Sequence, residues 1–260
     1  MRIGLIQMDV STGDKERNIE HAFGLLDQAS RRAEVLVMPE LWTIGYDFRN
    51  LENRVTTYGD RLFSRLSAFA AGNHITLEAG TLPIKKDGVI RNTALIFGPD
   101  GRLIASYSKR HLFYGYLEAE LMKPGKELLQ MNLQGVTTGM AVCYEFYYPR
   151  MWRRMAKAGT TLVLSCASWP LVHLSRWDVL TRARAIENGI CIAACNMSGC
   201  YHGLKLGGHS RFIDPVGQVT SEAGTGEEII YADYDKEKYK DLAKMMAVIQ
   251  LEKQRRQLGE

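Results

Sequence analysis

Long apolar runs are missing from this chain. No segment approaches the ~20 consecutive apolar residues of a membrane helix, so no spanning helix and no membrane partner are expected. An excess of one charge is missing too. Lysine and arginine outnumber aspartate and glutamate by only 33 to 29, with the signs interleaved, which leaves no basic face of the kind that tracks nucleic acid. Cysteine is sparse: Cys143, Cys166, Cys191, Cys195 and Cys200 are an odd set without two pairs at zinc-ligand spacing. The opening "MRIGLIQMDV" has too short an apolar run, broken by Asp9, to read as an export signal. Reduced thiols in a cytoplasm are therefore expected, and neither a disulfide framework nor a zinc site. Low-complexity tracts and linker-like composition shifts are absent as well, so residues 1–260 are expected to form a single domain.

What is present is the composition of a globular enzyme, 46% hydrophobic and 24% charged, with no sign of disorder. "RIGLIQM" and "AEVLVMP" read as short buried strands, the second stopped by Pro39. Between them, "NIEHAFGLLDQASRRA" places Ile19, Ala22, Phe23, Leu26 and Ala29 at helical spacing. A second helix is expected near residues 60–73. "NTALIFGPDGRLIASYSK" and "GGHSRFIDPVGQVTSEAG" carry the turn residues of hairpins. "VTTGMAVCYE", "TTLVLSCAS", "ICIAACN" and "EIIYADYD" read as strands, and "HLSRWDVLTRARAIENG" as a helix. The charged C-terminal stretch reads as the solvated face of a last helix over apolar Leu242, Met246 and Ile249. Alternation of strands and helices, mixed with hairpins, predicts mixed sheets covered by helices.

Three polar residues follow strand-like runs directly: Glu40 after "VLVMP", Lys109 after "LIASYS" and Cys143 after "GMAV". Strand carboxyl ends are where α/β sheets build their sites. Each residue alone has a plainer explanation, packing for the thiol and solvation for the two charges. Periodicity does not bring them together.

"VMPELW", "YSKRHLF" and "AVCYEFYYPR", in that order, resemble the three signature segments of the nitrilase, or carbon–nitrogen hydrolase, superfamily. The likeness continues through "SWP", "ARAIEN" and "GHSRFIDPVGQV" and so spans nearly the whole chain. The resemblance implies an α/β fold, a four-layer αββα sandwich of two mixed sheets, and hydrolysis of nonpeptide C–N bonds with no cofactor and no metal. It implies a homodimer or higher homo-oligomer and a small-molecule amide as substrate. By position it makes Cys143 the nucleophile, Glu40 the general base and Lys109 the stabiliser of the tetrahedral intermediate, beside the backbone N–H of Tyr144. These types suit the chemistry, because a free thiol is only a few per cent thiolate at neutral pH and needs a base or cation to activate it.

A second carboxylate belongs before Pro124–Gly125, and the resemblance favours Glu118 over Glu120. Trp169 is expected in the pocket wall, and His111 is expected to orient the lysine loop. Arg184 and Glu187 are expected to pair on a helix surface, and the four other cysteines to be apolar filler. Many small amidases of the family read Cys-Tyr-Asp-Leu-Arg-Phe-Pro at the nucleophile. Here Glu145 keeps the carboxylate, Tyr147 replaces the cation as a substrate-contact candidate, and Ser168 stands where asparagine is frequent. The compact length and "KRHLF" resemble the ω-amide hydrolases more than true nitrilases. N-carbamoyl-amine hydrolysis or nitrile hydrolysis would use the same three residues. A non-catalytic ligand-binding member and a redox-sensing thiol are the other readings.

Overall fold

The computed structural model describes residues 1–246. One six-stranded sheet contains β1 (Arg2–Gln7), β2 (Val35–Val37), β3 (Thr76–Lys86), β4 (Val89–Phe97), β5 (Leu103–Ser108) and β14 (Glu228–Asp233), ordered β14-β1-β2-β3-β4-β5. The other contains β6 (Gln130–Leu133), β7 (Val136–Val142), β8 (Leu162–Ala167), β9 (Cys191–Asn196), β12 (Arg211–Ile213) and β13 (Val219–Glu222), ordered β13-β12-β9-β8-β7-β6. A short ribbon pairs β10 (Cys200–Tyr201) with β11 (Leu204–Lys205). The helices are α1 (Lys15–Ser30), α2 (Arg61–Asn73), α3 (Glu118–Leu121), α4 (Pro149–Lys157), α5 (Leu174–Asn188) and α6 (Lys236–Met246).

The sheets face each other, with β1, β2 and β3 against β8 and β9. Helices α1 and α2 cover the first sheet, and α5, with α4 packed on it, covers the second. This is the expected αββα sandwich. Its layering follows from the period-2 alternation of buried strands. Val35 and Val37 of β2 join the intersheet core with Leu164 and Cys166, while Leu36 between them belongs to the cluster holding Leu26 and Leu66 of α1 and α2. Asp14 and Asp60 cap α1 and α2 by accepting N–H bonds from Arg17 and Phe63.

Strand direction brings the site together. β2 runs parallel to β3, and β5 is antiparallel to β4, itself antiparallel to β3, so β2 and β5 end at the same edge. β7 and β8 run parallel in the other sheet. At this edge the Glu40 N–H donates across the sheets to the Ala167 carbonyl at 3.4 Å.

The sequence reading misses α4 and the β10–β11 ribbon. α4 is nine residues long and rich in cations, with only Met151, Trp152 and Met155 buried, and each ribbon strand has two residues. Both are too short for periodicity to register. Of the face expected beneath the last helix, Leu242 packs against the core. The Met246 side chain and Ile249 lie outside the described residues. Cys166, Cys191 and Cys195 are buried, but Cys200 is exposed on the ribbon and is not filler. Among the described residues no helix is long and apolar enough to cross a membrane.

Glu78 of β3 is a fully buried carboxyl neither of whose oxygens makes a hydrogen bond of good geometry. Burial pushes it up to about 8, against a smaller opposing effect from the nearby Gly80 and Met38 N–H groups. The folded protein therefore holds a proton here that the unfolded chain releases near 4.5. Stability from this group is full below about 4.5, falls by up to ~1.4 kcal/mol per pH unit towards 8, and is level above. Glu78→Gln is expected to gain stability relative to the parent as pH rises from 5 to 8. Urea unfolding at both pH values checks this; an unchanged difference between them would refute it.

Candidate active site

Glu40 leaves β2 through a turn seated on a bulge of β3. Gly80, at φ +62°, lies so close that a Cβ there would meet the Pro39 carbonyl at 2.1 Å. Next to it the Thr81 Oγ1 accepts the Leu41 N–H at 2.9 Å, and the Trp42 Nε1 donates to the Ala79 carbonyl. Lys109 leaves β5 beside Gly125, whose N–H donates to the Lys109 carbonyl at 2.8 Å. A Cβ at Gly125 would lie 2.0 Å from the Ser108 carbonyl oxygen, so the Pro-Gly pair is what permits this approach.

The Lys109 ammonium is wholly buried between two carboxylates. Nζ donates to Glu40 Oε1 at 2.7 Å and to Glu118 Oε1 and Oε2 at 3.1 and 2.9 Å. Burial works against the charge, but Glu118 and Glu40 outweigh it, and the pKa of Lys109 is raised. Glu118 is buried as well, and its Oε2 takes the Phe113 N–H at 2.9 Å, while Glu120 is exposed. The geometry thus selects Glu118 as the carboxylate beside the lysine.

Cys143 follows β7 and opens a single-turn 3-10 helix, Cys143–Tyr147. Its φ of +47° is the left-handed region, a strained conformation for a residue with a Cβ. Burial raises the thiol well above its ordinary pKa, and the nearby Glu40 carboxylate adds to this. Lys109 and the Ser168 N–H pull the other way. The sulfur is therefore a thiol at rest, beside the carboxylate that could take its proton. Lying in the first turn, the Tyr144 N–H has no acceptor within its own helix.

Three further residues adjoin this cluster, two of them unread in the sequence and one, Glu145, taken only as a retained carboxylate. Asn92 of β4 donates through Nδ2 to both Glu40 Oε1, at 2.9 Å, and Glu118 Oε1, at 2.6 Å. The only sign of it is an amide opening the apolar run "NTALIF". Glu145, read only as a retained carboxylate, is a fully buried hub. It accepts from the Tyr107 hydroxyl, the Arg110 N–H and the Val142 N–H at 2.8 Å each, and from the His111 N–H at 3.3 Å. The nucleophile turn and the lysine loop are thereby held to one side chain. His111 does belong to that loop, but it is bound through its backbone and stacks on Tyr148 at 3.7 Å. Tyr46 is the third: its buried phenol is raised by desolvation first, then by Glu118, Glu40 and Cys143.

Arg184 corrects another expectation. It pairs with Glu187 at 2.9 Å, but it is buried rather than on a surface, and its Nε donates to the Phe146 carbonyl at 2.8 Å. Its work is to clamp α5 to the nucleophile's turn.

A cavity of about 400 Å³ opens above Cys143, with Tyr46, Phe113, Tyr144, Tyr147, Ser168 and Trp169 in its wall. Tyr147 and Trp169 stack at 5.5 Å. Trp169 is fixed by its N–H to Asn196 Oδ1 at 2.7 Å and its Nε1–H to the His173 carbonyl at 3.0 Å.

A two-sheet sandwich with a buried carboxylate–lysine–carboxylate cluster beneath a strained cysteine matches a known family. The carbon–nitrogen hydrolase family model covers residues 2–244; the chain belongs to that family and is a hydrolase of nonpeptide C–N bonds. It is 36% identical over 233 residues to the 2-oxoglutaramate amidase of Bacillus subtilis (strain 168), covering 90% of each chain. It is 29% identical over 258 residues to the omega-amidase NIT3 of Saccharomyces cerevisiae, covering 91% of this chain and 88% of that one. Among solved structures it resembles the NitN amidase of Nesterenkonia sp. AN1, with a TM-score of 0.83, 31% identity, and coverage of 92% and 94%. Further structures of the Nesterenkonia amidase show an acetamide moiety bound covalently at its active-site cysteine, and a complex with butyramide.

Proposed function

We propose that this chain is a cysteine amidase that converts a small aliphatic primary amide, of the ω-amide type, to the acid and ammonia. Cys143 is its nucleophile, Glu40 its general base, and Lys109 with Glu118 its electrostatic frame. The observation that carries this reading is the Lys109 ammonium held by Glu40 and Glu118, with the second Glu40 oxygen buried and free of any other hydrogen bond. The names of the amidase relatives support the substrate class.

The steps follow from the resting protonation state. Glu40 takes the thiol proton as sulfur attacks the amide carbonyl, so no free thiolate has to exist beforehand. The oxyanion that forms is held by the Lys109 cation and the Tyr144 N–H, donors of a kind worth about 2.7–4 kcal/mol each at the transition state. The C–N bond then breaks, the Glu40 proton leaves with ammonia, and a thioester remains on Cys143. Water gives a proton to Glu40 and attacks the thioester. The C–S bond breaks, the acid departs, and the proton returns to sulfur. Glu118 keeps Lys109 charged and placed throughout. Tyr144, Tyr147 and Trp169 contact the acyl chain.

The same proposal has residues 1–260 acting as one catalytic unit, in the cytoplasm, as a homodimer or higher homo-oligomer. Free thiols at all five cysteines and exposed apolar Val179 and Ile186 on α5 support it. Ammonia release from a panel of primary amides, ureides and nitriles tests the activity. The expected result is one ammonia and one acid per amide. Release from a nitrile or ureide, with none from any amide, would overturn it.

A further inference from the structure

The catalytic cavity changes character from floor to rim. Its floor holds the buried Cys143, its walls are mostly aromatic, and its rim carries the exposed Val172, His173 and Arg176. Among the described residues Arg176, in the first turn of α5, is the only arginine or lysine lining the cavity, and no aspartate or glutamate lines it. Among the described residues its guanidinium has no hydrogen bond or ion pair with the protein. The other arginines of this helix behave differently: Arg182 is paired with Asp178, and Arg184 with Glu187.

We infer that Arg176 is the specificity residue of this site, binding a carboxylate at the far end of the substrate's acyl chain. The inference rests on the ω-amide reading above, in which the substrate is a dicarboxylic acid monoamide, and adds the residue that recognises its free carboxylate. A second charge on the substrate needs such a partner here. With both carboxylates and Lys109 ionised, the buried cluster carries one net negative charge, which repels an anion entering the cavity. The aromatic walls, Tyr147 included, offer no cation to offset that. A planar guanidinium at the rim can take a carboxylate through two parallel N–H bonds. It holds the charge at the end of the cavity away from Glu40 and Glu118, and leaves the apolar methylenes against Trp169 and Tyr147.

The test compares glutaramate with the neutral pentanamide, of the same acyl length, in the parent, Arg176→Met and Arg176→Lys proteins. The ratio of kcat/KM for glutaramate to that for pentanamide is expected to fall about ten- to a hundredfold in Arg176→Met, as for loss of hydrogen bonds to a charged group. The fall is expected to come through KM, and Arg176→Lys should restore part of it, because it keeps the charge without the fork. An unchanged ratio, whether both amides suffer equally or neither does, overturns the inference while leaving the amidase reading intact. Failure of the parent to hydrolyse either amide overturns both.

Discussion

Replacing Cys143 by alanine is expected to remove turnover by a factor on the order of 10⁴–10⁶, as when a nucleophile is lost and only binding and oxyanion contacts remain. Cys143→Ser is expected to be nearly as inactive, because a hydroxyl gives up its proton to a carboxylate far less readily than a thiol does. The loss will be chemical and not structural. The thiol occupies little volume, and the turn around it is held by Glu145, which accepts the Val142 N–H, and by Arg184, which donates to the Phe146 carbonyl. Cys143→Gly separates the two contributions. At φ +47° a glycine relieves the left-handed strain, so this variant should be about 1 kcal/mol more stable than Cys143→Ala and equally inactive. Thermal unfolding together with ammonia release measures both. Activity of more than a few per cent in Cys143→Ala would place the nucleophile elsewhere.

The three strand-end residues were legible as types and as positions, because a polar residue that stops an apolar run is a local signal. Their meeting was not, since it depends on strand direction. Glu40 and Lys109 share an edge only because β4 reverses the chain between β3 and β5, and Cys143 arrives from the other sheet. Pairing across sheets has no local trace in sequence, and the likeness to a known family supplied it. The same likeness pointed to Glu118, which lies nine residues from Lys109 and opens the four-residue α3, too short for periodicity to register. Asn92 went unread, and Glu145 was read only as a retained carboxylate, for a related reason. Each is a buried polar group whose partners are distant in the chain: 52 residues for Asn92 and Glu40, 38 for Glu145 and Tyr107. Arg184 was misread because charge spacing on a helix implies a surface pair, whereas tertiary packing has buried this one.

Lys109→Met is expected to cost stability as well as rate, and the two effects have different origins. Glu40 Oε1 and Glu118 Oε1 accept from the same Nζ and the same Asn92 amide. Removing the ammonium leaves two buried carboxylates facing each other without a cation. Breaking such a buried arrangement typically costs about 3–5 kcal/mol, part of which is avoided if one carboxyl takes up a proton. That carboxyl would then be protonated in the folded variant at pH values where it ionises in the unfolded chain. The stability deficit of Lys109→Met should therefore shrink as pH falls towards 5 and be largest at pH 8. Adding Glu118→Gln removes the like-charge repulsion, so the double variant should regain part of the stability and show a weaker pH dependence, the remainder coming from buried Glu40 alone. It should regain no activity, because the cation at the oxyanion is still missing and Glu40 has no charged partner. Lys109→Arg should not rescue either, since a larger planar guanidinium must enter a site with no exposed surface. Urea unfolding at pH 5 and 8, with kcat for a primary amide, distinguishes these outcomes. A Lys109→Met protein as stable as its parent at pH 8 would mean that the buried pair of carboxyl groups does not depend on the lysine for its place in the fold. A double variant that recovered kcat would mean that Lys109 serves only to neutralise Glu118, and that the oxyanion is stabilised by the backbone alone.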